Sequence, residues 1–171
     1  MKIIFKIFIV TLILFSIVTS SNVAGAVNNT NKDIAVQVVV NSIFQLTLNR
    51  HTIDFEKLNP GENSSVETVS MNGLSNNPSR FIINNKAEDL SSGKNTIAIE
   101  NLVYEVTKTA GDGTVVSGII KLKNIDKRIC RSLNNPTKTK EITVDVDYTL
   151  AVPKDSMQGE YTTTIIVTMT E

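Results

Sequence analysis

The sequence predicts an all-β chain, an antiparallel β-sandwich preceded by a cleaved export signal, and three observations carry that expectation. Of the 171 residues, 57 are Ile, Val or Thr, whose branching at Cβ suits a pleated, half-buried surface. Beyond the first 26 residues, alternation with period two recurs, while no long stretch carries apolar residues at i, i+3, i+4 and i+7. Clusters of Asn, Ser, Gly and Pro separate the alternating runs and punctuate them as strands.

Residues 1–26 place Lys2 and Lys6 ahead of an apolar run from Ile7 to Val18, then a polar stretch ending in Ala24-Gly25-Ala26. This is the pattern of a secretory signal peptide, with cleavage expected after Ala26. The apolar run holds 12 residues, against the roughly 20 of a spanning helix, so an uncleaved anchor is the weaker reading. No later run is longer, and no membrane span is expected after cleavage. The domain organisation is therefore a signal over 1–26, an N-terminal strand region over 27–41 and a sandwich over 42–171, in a chain bound for the periplasm or cell surface.

Along the mature chain, Ile34, Val36, Val38 and Val40 alternate with Ala35, Gln37 and Val39 and predict a first strand. Ile43, Phe44, Leu46 and Leu48 predict a second. Ile53, Phe55 and Leu58 lead to Asn59-Pro60-Gly61, a turn sequence at which a strand pair is expected to fold back. Val66 to Met71 reads as strand and Asn72 to Ser79 as a polar loop, with strand resuming at Phe81 to Ile83. Ala87 to Asn95 reads as loop. From Ile97 to Val106 the apolar parity changes between Ile99 and Leu102, predicting a bulge or bend near Asn101. Gly111-Asp112-Gly113 predicts the turn of a hairpin into Val116, Ile120 and Leu122, with Gly118 marking close packing or a kink. Lys121 to Lys140, with seven basic residues and one acidic, reads as a long solvated loop. Ile142 to Val152, closed by Pro153, and Tyr161 to Thr170 are the last two strands.

Composition excludes several functions. Lys plus Arg and Asp plus Glu are equal at 17 each, so the positive field of a nucleic-acid binder is missing. One Cys and one His cannot build a Cys/His zinc site, and Cys130 has no partner for an internal disulfide. It reads as a buried thiol, or as one half of an intermolecular disulfide. His51 sits beside Arg50 in a turn and offers no triad pattern. Asp145 and Asp147, in parity with Glu141, could form a carboxylate pair or calcium site, but outward charges on a half-buried strand explain them equally. No catalytic, cofactor or metal site is expected, and the chain reads as non-enzymatic with no cofactor.

The strands themselves remain. A first strand behind the polar tether Val27 to Lys32 can pair within its own chain or leave to complete another sheet. Ile34, Val36, Val38 and Val40 supply the alternate apolar side chains that the second option needs.

The segments Ile53-Asp54-Phe55, Leu58-Asn59-Pro60-Gly61, Tyr148-Thr149-Leu150-Ala151-Val152-Pro153 and Gly159-Glu160-Tyr161-Thr162 make the chain resemble the spore coat protein U family, which includes subunits of archaic chaperone-usher pili. The resemblance implies an immunoglobulin-like sandwich whose last strand edges a groove filled by the N-terminal strand of the next subunit. Ile34, Val36, Val38 and Val40 would be the donor residues, and Tyr161, Thr163, Ile165, Val167 and Met169 the acceptor strand. It also implies self-association, with a periplasmic chaperone and an usher as further partners. Unlike pilins with a disulfide, this chain has Cys130 alone, and the lack of Trp separates it from WxL cell-wall domains. The expectation is a structural subunit of a bacterial surface fibre or coat. The alternative is a monomeric secreted binding module or adhesin, with carbohydrate as one ligand class, working through the loops Asn72 to Ser79 and Lys121 to Lys140.

Overall fold

The computed structural model describes residues 35–171, and the expected export signal and Ile34 lie outside the described residues. The chain divides into one unit ending at Val38 and a second over Val39–Glu171. Of the first, residues 35–38 are described, and they belong to no strand.

The second unit contains β1 (Phe44–Leu48), β2 (Glu67–Ser75), β3 (Ile82–Lys86), β4 (Leu90–Ser92), β5 (Asn95–Ile97), a 3-10 turn (Ile99–Asn101), β6 (Leu102–Gly111), β7 (Gly113–Val115), β8 (Ile120–Lys121), β9 (Lys127–Ser132), β10 (Lys140–Leu150) and β11 (Ile166–Thr170). One antiparallel sheet runs β1-β2-β10-β6-β8 and the other β11-β3-β9-β7, with β4 and β5 as a separate small hairpin. The two sheets pack as a β-sandwich. β10 is its spine: Ile142, Val144, Val146 and Tyr148 are buried in strict alternation with outward Thr and Asp. The facing sheet contributes Phe81 beside β3 and Ile83 and Ile129 within it, all without exposed surface. Tyr148 lies opposite Tyr104 on β6, their ring centroids 6.1 Å apart in a tilted arrangement.

Several elements differ from the sequence expectation, each for a local reason. β2 runs on to Ser75, through residues expected as loop. Val69, Met71, Gly73 and Ser75 alternate inward, and Gly73 is a strand residue because Phe81 lies over it: a Cβ there would stand 2.7 Å from Phe81 Cε2. The expected loop from Ala87 to Asn95 holds the hairpin strands β4 and β5. The parity change near Asn101 takes the form of the 3-10 turn.

Gly111-Asp112-Gly113 does not close a hairpin. The chain there leaves one sheet for the other, β7 pairing with β9, while β8 returns to pair with β6. Gly111 adopts φ +79°, and any Cβ would collide with the Glu141 carbonyl. Gly118 marks a kink (φ +78°) with open space around it, not close packing.

The basic stretch 121–140 is not one solvated loop. It contains β9, an interior strand of its sheet, in which Ile129 and Cys130 are both fully buried. The β3–β9 register shifts between Ile83 and Asn84, and the bulge turns two successive β9 residues inward. Lys140, at the end of the same basic stretch, is only 3% exposed. The last strand is shorter than expected, since the ladder covers Ile166–Thr170 and the residues before it join by a single bridge, Ser91 to Thr162. The segment from Asn49 to Glu62 forms no strand, although Gly61 to Ser64 hydrogen-bonds along residues 150–152.

Candidate functional site: an open sheet edge and an unpaired segment

The strand expected over residues 34–40 is not formed in the described part of this segment. Residues 35–43 carry no ladder, and Val36, Val38 and Val40 are 89%, 81% and 77% exposed. Forming a strand needs a partner edge, and none of the described strands pairs with these residues. The point where the segment joins the sandwich is fixed by two asparagines. Ile43 donates its N–H to Asn76 Oδ1 at 2.6 Å, and Asn76 Nδ2 donates to the Asn41 carbonyl at 2.8 Å. The Asn76 N–H donates to the Ile43 carbonyl, and Ser42 Oγ donates to Asn77 Oδ1 at 2.6 Å.

The sheet order leaves four edge strands: β1 and β8 in one sheet, β11 and β7 in the other. β11 pairs with β3 from Ile166↔Lys86 to Thr170↔Ile82, so alternate residues turn their N–H and C=O groups away from β3 with no strand beside them. The expected acceptor residues Tyr161, Thr163, Ile165, Val167 and Met169 are all half-buried. Val167 and Met169 lie in β11. Tyr161, Thr163 and Ile165 precede it, where Tyr161 donates to the Met157 carbonyl and Thr163 to that of Glu88, both at 2.9 Å. β1 approaches β11 at the other lip of the sandwich. Leu46 and Leu48 on β1, with Ile53 and Phe55 after it, pack against the core while remaining partly exposed. These half-covered side chains were readable as strand residues, but nothing in the sequence showed that they share one lip.

The other candidates resolve into structural roles. Asp145 accepts from Ser70 Oγ at 2.6 Å, Asp147 from Thr68 Oγ1 at 2.5 Å and Glu141 from Asn72 Nδ2 at 2.8 Å. They form a cross-strand polar ladder on the outer face of β2 and β10. His51 is exposed and joins no hydrogen bond among the described residues. Cys130 is fully buried, and burial pushes its thiol up to about 12, which makes it a poor nucleophile. No group of three or more His, Cys, Asp and Glu is placed to hold a metal among the described residues. No described helix is long and apolar enough to cross a membrane.

A cleft of about 410 Å³ opens beside the start of β11, lined in part by Lys86, Glu88, Asp89, Asn124 and Thr163. Its walls are polar and carry no aromatic ring. The two loops expected to serve a binding module are largely consumed by β2 and β9, leaving the short connections after Ser75, Lys121 and Ser132.

No family model and no curated protein matches the chain. Among solved structures it is similar to part of a family 123 glycoside hydrolase from Clostridium perfringens, at 12% identity and a TM-score of 0.38, over 75% of this chain and 24% of that one. The chain thus spans about a quarter of that enzyme's length, and a likeness of this degree carries no argument about activity.

Proposed function

We propose that this protein is an exported structural subunit of a bacterial surface fibre or coat, in which the segment 34–40 of one copy adds to the open β11 edge of the next. The immunoglobulin-like reading of the sandwich belongs to the same proposal. The observation that carries it is the coexistence, in one chain, of an unpaired alternating apolar segment and an unpaired edge backed by half-buried apolar side chains. Strand addition would pair the free backbone groups on both sides and cover Val167 and Met169 with the alternate valines. Until it met another copy, such an edge would invite uncontrolled pairing, which gives a periplasmic chaperone a role during export and an usher one during assembly.

The test compares the mature chain from Val27 with one lacking residues 27–41, each recovered from an exporting cell and run on a gel with and without boiling. A ladder that survives cold detergent, collapses on boiling and vanishes with the truncation supports strand exchange, because a shared sheet opens slowly. A single monomer band from the full mature chain defeats it and returns attention to the polar cleft and a monomeric binding role.

A further inference from the structure

The two outer faces of the sandwich are sorted by charge, and neither the open edge nor the N-terminal segment uses them. Residues paired across an antiparallel ladder share a face, so the register assigns each side chain to its side. Outward on the first sheet, Asp145 pairs with Ser70 and Thr107, Asp147 with Thr68 and Glu105, and Glu141 with Leu74. Lys121, opposite Val103 on the short edge strand β8, is the only cation at an outward ladder position of this sheet among the described residues. Outward on the second sheet, Arg131 pairs with Ile82 and Thr114, Arg128 with Asn84, and Lys86 with Ile166. No Asp or Glu holds an outward ladder position there. Lys86 meets Asp126 at 3.5 Å, but Arg128 and Arg131 join no ion pair among the described residues, and neither do Glu105, Glu141, Asp145 and Asp147. The bulge that turns Ile129 and Cys130 inward also keeps both arginines outward, opposite Asn84 and Ile82, which lie two residues apart. Arg128 and Arg131 therefore leave the sheet about 7 Å apart along the strand, the spacing of Asp145 and Asp147 on β10. Those carboxylates are steadied by Ser70 and Thr68 at 2.6 and 2.5 Å, each through Oδ1, leaving Oδ2 for a second donor.

We propose that the basic outer face of one copy docks on the acidic outer face of another, Arg128 and Arg131 meeting Asp145 and Asp147, so that sandwiches stack face to face. A guanidinium fork matches a carboxylate with two parallel hydrogen bonds, which makes these pairs specific as well as attractive. The partner is a second copy because one chain carries both complementary surfaces. They lie on opposite sides of the sandwich, so a chain cannot satisfy itself. For the same reason the contact is head to tail, and each docked copy presents a fresh face, which gives an open-ended stack and not a closed dimer. Size sets its strength. At ~3.4 Å per residue and ~4.8 Å per strand, the basic face formed by β11, β3, β9 and β7 covers roughly 300 Å², well below the ~800 Å² per partner of a stable complex. An isolated pair is therefore weak, and the contact gains strength where many copies are held side by side, as in a layered coat or a bundle of fibres. The docking rests on charge and spacing and does not need strand addition.

Light scattering from the full exported chain reads the contact. Scattering should rise with protein concentration in low salt, and the excess should vanish at about 1 M salt, where charges are screened within ~3 Å. Asp145→Lys with Asp147→Lys, or Arg128→Glu with Arg131→Glu, should each weaken association at least tenfold while leaving the circular dichroism spectrum unchanged. The chain carrying all four substitutions has the net charge of the parent and exchanges the signs across the contact, so it should associate again. Thr107→Lys, which breaks no hydrogen bond and places a cation beside Asp145, should weaken association with no cost to the fold. Scattering that ignores salt overturns the proposal, as does association that survives either double substitution. A fourfold variant as weak as the doubles also overturns it, since net charge alone would then explain the loss. The cold-detergent ladder, which salt leaves unchanged, reports strand addition separately, and either reading can fail while the other stands.

Discussion

The double substitution Val36→Asp and Val38→Asp separates a segment held by its own sandwich from one that serves another copy. Both valines are more than 80% exposed in the single chain, so replacing them should change its unfolding free energy by no more than about 0.5 kcal/mol. In an assembled pair the same side chains would enter the lip beside Val167 and Met169. Burying a valine contributes at least about 1.5 kcal/mol, so losing two removes about 3 kcal/mol before the cost of drying carboxylates is added. At about 1.4 kcal/mol per factor of ten, association should weaken at least roughly a hundredfold. Urea unfolding at a concentration where the parent is monomeric measures the first quantity, and sedimentation across a concentration series the second. A loss of more than about 1.5 kcal/mol in the monomer would show that the segment pairs in its own chain. Unchanged sedimentation would show that it pairs nowhere.

The remaining predictions concern the sandwich itself. Phe81→Ala, at a fully buried ring, should cost about 3 to 5 kcal/mol in chemical denaturation. Gly73→Val should cost about 1 to 3 kcal/mol by overpacking, and the two together should cost less than their sum, because the new side chain enters the space Phe81 leaves. Cys130 should resist a thiol reagent at pH 8 in the folded chain and react at once in denaturant, its thiol being raised to about 12 by burial. Stability should fall in alkali. Burial, and to a lesser degree Tyr148, raises Tyr104 from 10.0 to about 12, so the unfolded chain releases these protons first. The contribution of Tyr104 is complete below pH 10 and is lost as pH rises toward 12, with Cys130 adding its own loss from about pH 9. A pH titration of the thermal midpoint that stays flat to pH 11 would contradict this. Asp145→Asn and Asp147→Asn should each move stability by no more than about 1 kcal/mol, as members of a half-exposed ladder whose hydroxyl donors an amide oxygen can still accept.

The sandwich was legible where one face of a strand is buried and the other wet, as in β10, where the alternation is unbroken from Lys140 to Leu150. It was illegible where packing overrode pattern. β9 has a bulge that buries Ile129 and Cys130 together amid basic residues, so neither period nor polarity marked it as an interior strand. The far half of β2 is written in Asn, Gly and Ser, residues that favour turns, and it is held as strand by β1 and β10 on either side and by Phe81 above Gly73. Gly111-Asp112-Gly113 has the composition of a hairpin turn, but whether a turn folds back or crosses between sheets depends on partners far away in sequence. The acceptor residues were legible as an alternating set. Their half-burial was not, because it reflects a place at the edge of a sheet, which depends on pairing partners far away in sequence.

The choice of β11 over β7 and β8 follows from length. β7 and β8 contain three and two residues, too few to register an added strand of alternating side chains. β1 has five, and its Leu46 and Leu48 are also half-covered against the core, so what sets β11 apart from it is the resemblance, which makes the last strand the acceptor. β11 also has five residues, and behind it Ile165, Val167 and Met169 reach the core without being closed over. Its Thr170 and Glu171 end beside Asn77, the residue to which Ser42 binds as the N-terminal segment joins the sandwich. Added to the edge of a second copy, the same valines that are an aggregation hazard on a lone subunit would become the register of the joint.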